Sequence, residues 1–310
     1  MIAARINKQL FAGAALFLAA AHAAATTCSC ANVPLLGTME LATPGDGKWF
    51  LATSYEYHDA SELVSGSSTV PDTTGRDRTS EALVVELSRG LVGKLSFSAM
   101  LATVRHDRTV GGIHDQVSGL GDAIVMLKYS PASISLYSRH ALSFGVGAQI
   151  PLGEDDASRD GIVFAEDLQP STGALSGILW AYGARALNES RSARLYASAT
   201  YSSNGENDRD YRFGHSTTAS IGGAYQTQTP WGFNLELLYR HAERDERAAA
   251  TIPNTGGEWL DLVPAVQYHI NESMALRASG KIPVSRDLND ELQFTTRYSV
   301  RLTVSWIFGD

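Results

Sequence analysis

The sequence predicts an all-β protein, a twelve-stranded antiparallel transmembrane β-barrel with short periplasmic turns and long outer loops. Three observations support this prediction. From Trp49 onward, segments of about ten residues alternate apolar and polar side chains, which is the period of a strand with two different faces. The connections between these segments alternate between long and short. After residue 25, the sequence contains no run of about 18 apolar residues that would form a membrane-spanning helix.

The first 25 residues have the features of a secretory signal peptide. Arg5 and Lys8 precede an uncharged apolar run over residues 10–21, and small residues around Ala23 offer a cleavage site. An uncleaved membrane anchor is the alternative, but the apolar run is short and lacks a stop-transfer flank. We therefore predict that residues 1–25 direct export and are removed.

Residues 26–47 separate the signal peptide from the barrel of residues 48–310. This segment either hangs in the periplasm or folds back as a plug, and it contains both cysteines of the chain, Cys28 and Cys30. Two thiols at this spacing could bind a soft metal such as copper. An oxidised or idle pair is the simpler interpretation. Thr26 and Thr27 do not form the small-residue motif of a lipoprotein signal, so lipidation is not expected.

The twelve strands are recognised by their alternation. The last is the clearest, because Val300, Leu302 and Val304 alternate with polar residues. The sixth, around residues 173–183, is the least clear, and we assign Ile178, Trp180 and Tyr182 to its apolar face. The segments begin, in chain order, near Trp49, Ala82, Leu95, Asp122, Leu142, Gly173, Arg194, Phe213, Phe233, Leu260, Met274 and Tyr298.

The connections favour a membrane barrel over a soluble β-sandwich, whose strands also alternate. Outer-membrane barrels combine short periplasmic turns with long outer loops. The long connections are residues 59–78, 107–117, 151–172, 204–210, 243–257 and 285–295. The short ones are residues 89–93, 131–135, 187–192, 226–230 and 269–273. Closure is required because an unpaired backbone group in hydrocarbon costs several kcal/mol.

Charged residues on the polar faces must point into the lumen. An Arg or Lys facing lipid at mid-depth would cost about 2–4 kcal/mol. Opposite charges there either pair across neighbouring strands or line a narrow polar route for solutes. Twelve strands exceed the eight that side chains just fill, so we expect a narrow or partly plugged lumen. The candidate lumen-lining residues are Glu56, Glu86, Asp122, Lys128, Arg194, Glu236, Arg240, Asp261, Arg277, Lys281 and Arg301.

The expected partners follow from this location. Lipid and lipopolysaccharide of the Gram-negative outer membrane would surround the barrel. Acidic outer loops such as 154–167 could hold divalent ions that bridge lipopolysaccharide phosphates, although solvation of the loops is the simpler role. The barrel-assembly machinery would read the aromatic end of the last strand at Trp306 and Phe308, although Gly309 and Asp310 follow it. The formal net charge of −8 argues against a nucleic-acid partner.

Signals for enzyme activity are weak, and no cofactor is expected. Gly145-Val146-Gly147 lacks the following helix of a dinucleotide-binding loop. Residues 201–205, Tyr-Ser-Ser-Asn-Gly, resemble the His-x-Ser-Asn-Gly motif of outer-membrane phospholipase A. Tyr201 occupies the histidine position, so the sequence supplies no base there to activate Ser203. A barrel lipase is therefore the least favoured function.

Several motifs at strand ends resemble those of the MetA-pathway of phenol degradation family of outer-membrane proteins. They are Gly119-Leu120-Gly121-Asp122, the stretch from Gly145 to Glu154, Leu168 to Gly173, and Pro264 to Tyr268. The chain departs from the family pattern at Ser171, where glycine is expected, and in its Cys-x-Cys leader. The resemblance implies passage of small compounds, aromatic or hydrophobic ones among them. It implies no specific binding residues.

We therefore expect an outer-membrane channel or transporter for small solutes. A structural or ligand-binding barrel without transport is the alternative. The two differ in whether the purified protein conducts ions or solutes.

Overall fold

The computed structural model describes residues 44–134 and 138–309. The predicted signal peptide, Cys28 and Cys30 lie outside the described residues. Twelve strands form the wall of the barrel: β1 Trp49–Asp59, β2 Asp77–Gly90, β3 Leu95–Val110, β4 Ala123–Ala132, β5 His140–Ile150, β6 Ser176–Ala186, β7 Ala193–Ser203, β8 Ser216–Gln226, β9 Trp231–Ala242, β10 Gly257–His269, β11 Met274–Leu288 and β12 Tyr298–Phe308.

The sheet closes on itself between its first and last strands. β1 pairs with β12 along its whole length, from Trp49 opposite Phe308 to Asp59 opposite Tyr298. Its other edge pairs with β2, and each further strand pairs antiparallel with its neighbours in the chain. Closure pairs the backbone groups that an open edge would expose to hydrocarbon. The predicted twelve-stranded antiparallel barrel is confirmed.

Some strands continue beyond the length that a bilayer requires. About 9–11 tilted residues cross the hydrocarbon core, whereas β3 has 16 residues and β11 has 15. The outer part of β3 pairs with Ile113–Leu120 to form a projecting hairpin. The predicted loop 107–117 is therefore largely strand. The charged residues of this hairpin, such as Arg105 and Asp107, can be solvated outside the membrane while the ladder of hydrogen bonds continues.

The outer surface of the barrel is apolar. Leucine, valine and aromatic side chains face outward along the strands, with Val146 57% exposed and Leu302 53% exposed. At the periplasmic ends, Trp231 packs on Tyr268 with ring centroids 4.8 Å apart, as in the aromatic girdle of outer-membrane barrels. A continuous apolar surface of this kind is suited to lipid. Within the described residues, no helix has the length and apolar character needed to cross a membrane.

The inside of the barrel is divided into an apolar half and a polar half. Strands β2, β3, β4 and β6 contribute a packed cluster of Ala82, Val84, Met100, Ala102, Ile124, Met126, Ile178 and Trp180. The assignment of Ile178, Trp180 and Tyr182 to the lipid-facing side of the sixth strand was wrong. Trp180 is 4% exposed and points inward, while Leu179 faces out at 58% exposure.

Two glycines of β5 make room for this apolar cluster. A Cβ atom on Gly147 would lie 2.6 Å from Met126 Cγ, and one on Gly145 would lie 2.8 Å from Met126 Cε. Any side chain at these positions would displace the methionine. The Gly-x-Gly pair thus serves packing inside the barrel.

The hydrogen-bonded ladder between β10 and β11 is interrupted near mid-strand. Leu262 pairs with Ile282 and Ala265 with Ser279, but the described residues between them, Val263 and Pro264, have no partner in β11. Proline lacks the N–H that a ladder needs. A register shift between Leu260 and Asp261 adds a second irregularity.

Candidate functional site

A cavity of about 400 Å³ occupies the polar half of the barrel. Its wall is built from β1, β2 and β7–β12, and it runs from the periplasmic turn at Glu272 and Ser273 up to His58 and Lys281. Because side chains alternate along a strand, these strands can place charged groups on the cavity while presenting apolar groups to lipid.

The structure brings nine of the eleven candidate lumen residues to this cavity. They are Glu56, Glu86, Arg194, Glu236, Arg240, Asp261, Arg277, Lys281 and Arg301. The other two, Asp122 and Lys128, lie elsewhere. Lys128 is 1% exposed in the apolar half, with its Nζ 5.2 Å from the centroid of the Trp180 ring. A role of these residues in solute passage stays a prediction.

Some of the cavity charges pair, and others do not. Arg301 Nε lies 2.6 Å from Glu56 Oε1, and the hydroxyl of Tyr196 donates to Glu236 Oε2 at 2.7 Å. Arg194, Arg277 and Lys281 form no ion pair with any described residue. The wall therefore combines an ion pair and a hydrogen-bonded carboxylate with cations that remain available to a solute.

Packed side chains cover the outer end of the cavity. The guanidinium of Arg240 lies 3.7 Å from the centroid of the Trp259 ring, and Trp259 Nε1 donates to Thr295 Oγ1 at 3.0 Å. The short strand Glu62–Ser65 pairs with Gln293–Thr295 beside them. Trp259, Thr295 and Val64 are each less than 5% exposed. We name Arg240, Trp259 and Thr295 the outer cap.

The connection between β5 and β6, residues 151–175, is bound to several parts of the outer mouth. Asp167 accepts from Arg78 Nη1 of β2 at 2.6 Å. Glu166 accepts from Arg209 Nε at 3.1 Å and from Arg247 Nη2 at 2.9 Å. The predicted acidic loop thus neutralises arginines from three other outer segments. No group of three or more metal-ligating side chains occurs in the described part of the chain.

Asp122 fastens this connection to the barrel wall. Its carboxylate is 3% exposed and accepts from Gln149 Nε2 and Thr172 Oγ1, each at 2.6 Å. It also accepts from Ser171 Oγ and from the Thr172 backbone N–H at 3.2 Å. Sequence reasoning missed this contact, although Ser171 and Thr172 belong to a motif that it had identified.

The lipase-like motif has no catalytic geometry. Ser203 is exposed, and Ser202 Oγ donates to Asn204 Oδ1 at 2.9 Å. The nearby His215 accepts through Nδ1 from the Asn204 backbone N–H at 3.0 Å. Among the described residues, neither serine has a histidine hydrogen-bond partner.

Comparison with known proteins agrees with the fold. The family model for the MetA-pathway of phenol degradation matches residues 64–302. A comparison with the curated proteins finds no match. The COG4313 outer membrane channel from Pseudomonas putida F1 is similar over 87% of this chain and 98% of its own, with a TM-score of 0.70 and 13% identity.

Weaker similarities also involve outer-membrane barrels. The translocator domain of autotransporter NalP from Neisseria meningitidis gives a TM-score of 0.48 at 11% identity, over 90% of this chain and 97% of its own. The TodX monoaromatic hydrocarbon channel deltaS2 mutant gives 0.47 at 11% identity, over 92% and 96%. At 13% identity, the likeness to the COG4313 channel shows the barrel fold alone.

Proposed function

Because the chain belongs to the MetA-pathway of phenol degradation family, we propose that it is an outer-membrane channel for small solutes. The observation that carries the proposal is the 400 Å³ cavity with a charged wall inside a closed barrel. A barrel that served only as a membrane anchor would have no need for a cavity wall that carries Arg194, Arg277 and Lys281 without ion-pair partners among the described residues, since charged side chains at membrane depth usually mark a route for a solute.

The geometry favours small solutes over large ones. The apolar cluster fills one half of the lumen, so a solute would pass along the side formed by β7–β12 and β1. The family description, together with the aromatic side chains Trp180, Tyr182 and Tyr196 inside the barrel, supports aromatic compounds among the solutes. Lipopolysaccharide and the barrel-assembly machinery stay predicted partners.

A structural or ligand-binding barrel is the alternative, and the outer cap is the feature that would favour it. A permanently closed cap would leave a pocket, whereas a cap that opens would leave a channel. Trp259 packs against the buried side chains of Val64, Ala242 and Leu288. It also donates a hydrogen bond to Thr295 and makes a cation–π contact with Arg240. The two polar contacts each contribute about 0.5–2 kcal/mol, so transient local opening of the cap is within the range of native-state motions.

Conductance of the purified protein in planar lipid bilayers tests the proposal. We expect discrete current steps from the wild-type protein. Trp259→Ala should increase their size or frequency because it removes the ring that covers the cavity. Trp231→Ala is the matched control, since that ring faces lipid and should leave the current unchanged. Silent bilayers from protein that keeps the heat-modifiable gel mobility of a folded barrel would contradict the channel.

A further inference from the structure

A second, smaller cavity of about 80 Å³ adjoins the large one near the periplasmic ends of β6–β11. Arg194 of β7 and Arg277 of β11 line both cavities. Asn234 and Gln267 also line the smaller one. Guanidinium groups and amides together provide the donors that bind an anion.

The two guanidinium groups are free to bind a ligand. Neither forms an ion pair with a described residue, as noted above. Glu236 lies on the wall of the large cavity, where its carboxylate accepts from Tyr196. Among the described residues, Arg194 and Arg277 are the charged residues that line the small cavity, so its local potential favours an anionic solute.

An aromatic wall continues from this cavity into the apolar half of the barrel. Tyr182 and Tyr196 line the small cavity, with ring centroids 6.3 Å apart and planes 28° apart. Trp180 stacks on Tyr182 at 6.0 Å and 4°. Trp180 and Tyr196 are buried, whereas Tyr182 is half-buried. The accessible part of this wall is therefore Tyr182, and stacked or edge-on rings are favourable neighbours for a further ring.

We propose that Arg194 and Arg277 bind the carboxylate of a small aromatic acid whose ring lies against Tyr182. This site deepens the channel function proposed above, on which its physiological meaning rests. A carboxylate matches the planar donor fork of a guanidinium. Arg194 and Arg277 line both cavities and can hold the carboxylate where the two meet, while the ring occupies the small cavity, which Tyr182 lines.

Isothermal titration calorimetry on the detergent-solubilised full chain tests the site with benzoate as the probe. We expect benzoate to bind, and we expect benzamide to bind about tenfold more weakly, because a neutral amide loses charge-assisted hydrogen bonds. Cyclohexanecarboxylate and inorganic phosphate should also bind more weakly, because neither offers an aromatic ring to Tyr182. These comparisons use the wild-type protein and do not depend on whether a variant folds.

Substitutions then locate the site. Arg194→Gln and Arg277→Gln should each weaken benzoate binding about tenfold. Arg277→Lys should weaken it less, because lysine keeps the positive charge but not the planar donors of arginine. Lys281→Gln is the matched control. It removes another free cation that lines the large cavity but not the small one, so the affinity for benzoate should stay unchanged. Heat-modifiable gel mobility verifies that each variant is folded.

Three results would overturn the proposal. Equal binding of benzoate and benzamide would exclude a charge-recognising site. Equal binding of benzoate and phosphate would exclude a contribution from contact between the ring and Tyr182. If Lys281→Gln weakened benzoate binding as much as Arg277→Gln does, a diffuse positive field would account for the binding and the specific site would be excluded. Calorimetry measures binding without requiring transport. If the protein bound benzoate but gave no current in bilayers, the channel function would be refuted and the binding site would stand.

Discussion

Replacing Asp122 with alanine should release the connection of residues 151–175 from the barrel wall. Asp122 lies just before β4, and the hydroxyl-bearing residues Ser171 and Thr172 of the connection donate to it from 49 and 50 residues away. Gln149 at the end of β5 donates to the same carboxylate. The substitution removes the acceptor that all three side chains share. It leaves the Ser171 hydroxyl without this acceptor, and Gln149 and Thr172 with longer contacts of 3.4 Å.

The size of the effect follows from these contacts. A hydrogen bond to a charged group contributes about 1.5–3 kcal/mol, and contacts that share one carboxylate are not additive. We therefore expect Asp122→Ala to destabilise the closed position of the connection by about 3–5 kcal/mol. The barrel itself should stay folded, because its wall is held by the ladders between strands.

Limited proteolysis of the purified protein measures this release. At constant protease concentration, cleavage within residues 151–175 should become at least about a hundredfold faster in Asp122→Ala, as expected from a loss of about 3 kcal/mol in the opening equilibrium. Asp156→Ala is the matched control, since Asp156 belongs to the same connection and is exposed. Equal cleavage rates in the two variants would refute the anchoring role of Asp122.

Two further predictions concern the interior and the outer mouth. Gly147→Ala should lower the yield of heat-modifiable barrel, because its Cβ would lie 2.4 Å from the carbonyl oxygen of Val125, whereas Gly177→Ala meets no atom within 4 Å and should fold normally. Equal yields would contradict this packing. Burial raises the pKa of Asp245 above its usual 3.8, although the hydrogen bond from Tyr211 opposes the shift. A raised pKa in the folded state means that this carboxyl contributes less stability as the pH rises from about 3.8 through the raised value. Protease cleavage within residues 243–256 should therefore increase over that range in the wild-type protein, and Asp245→Asn should reduce the increase. An unchanged pH profile in Asp245→Asn would contradict the assignment.

The sequence could predict the barrel because lipid imposes a rule on every strand. Outward residues such as Leu302 and Val304 must be apolar, and the opposite face of β12 carries Arg301 and other polar residues. The rule fails for β6, where Ile178 and Trp180 pack inside while Leu179 faces lipid. When both faces of a strand are apolar, alternation cannot distinguish them, and contacts with other strands decide.

The candidate site was predictable only in part for a similar reason. The alternation of side chains along a strand identifies which charged residues point inward. It correctly places Glu56 and Arg277 on the lumen side. Whether an inward residue reaches open space depends on what fills the barrel beside it. Lys128 is enclosed by the apolar half, and Asp122 is covered by residues far along the chain. Such long-range contacts leave no periodic signal in the sequence.

The off-centre position of the large cavity makes the barrel wall mechanically uneven. Strands β2, β3, β4 and β6 are supported from inside by packed side chains. Strands β10 and β11 line the open cavity, and the ladder between them is interrupted at Val263 and Pro264. Fluctuations of the barrel wall should therefore be largest at the β10–β11 pair. A solute slightly wider than the cavity would displace these two strands while the packed side keeps its shape.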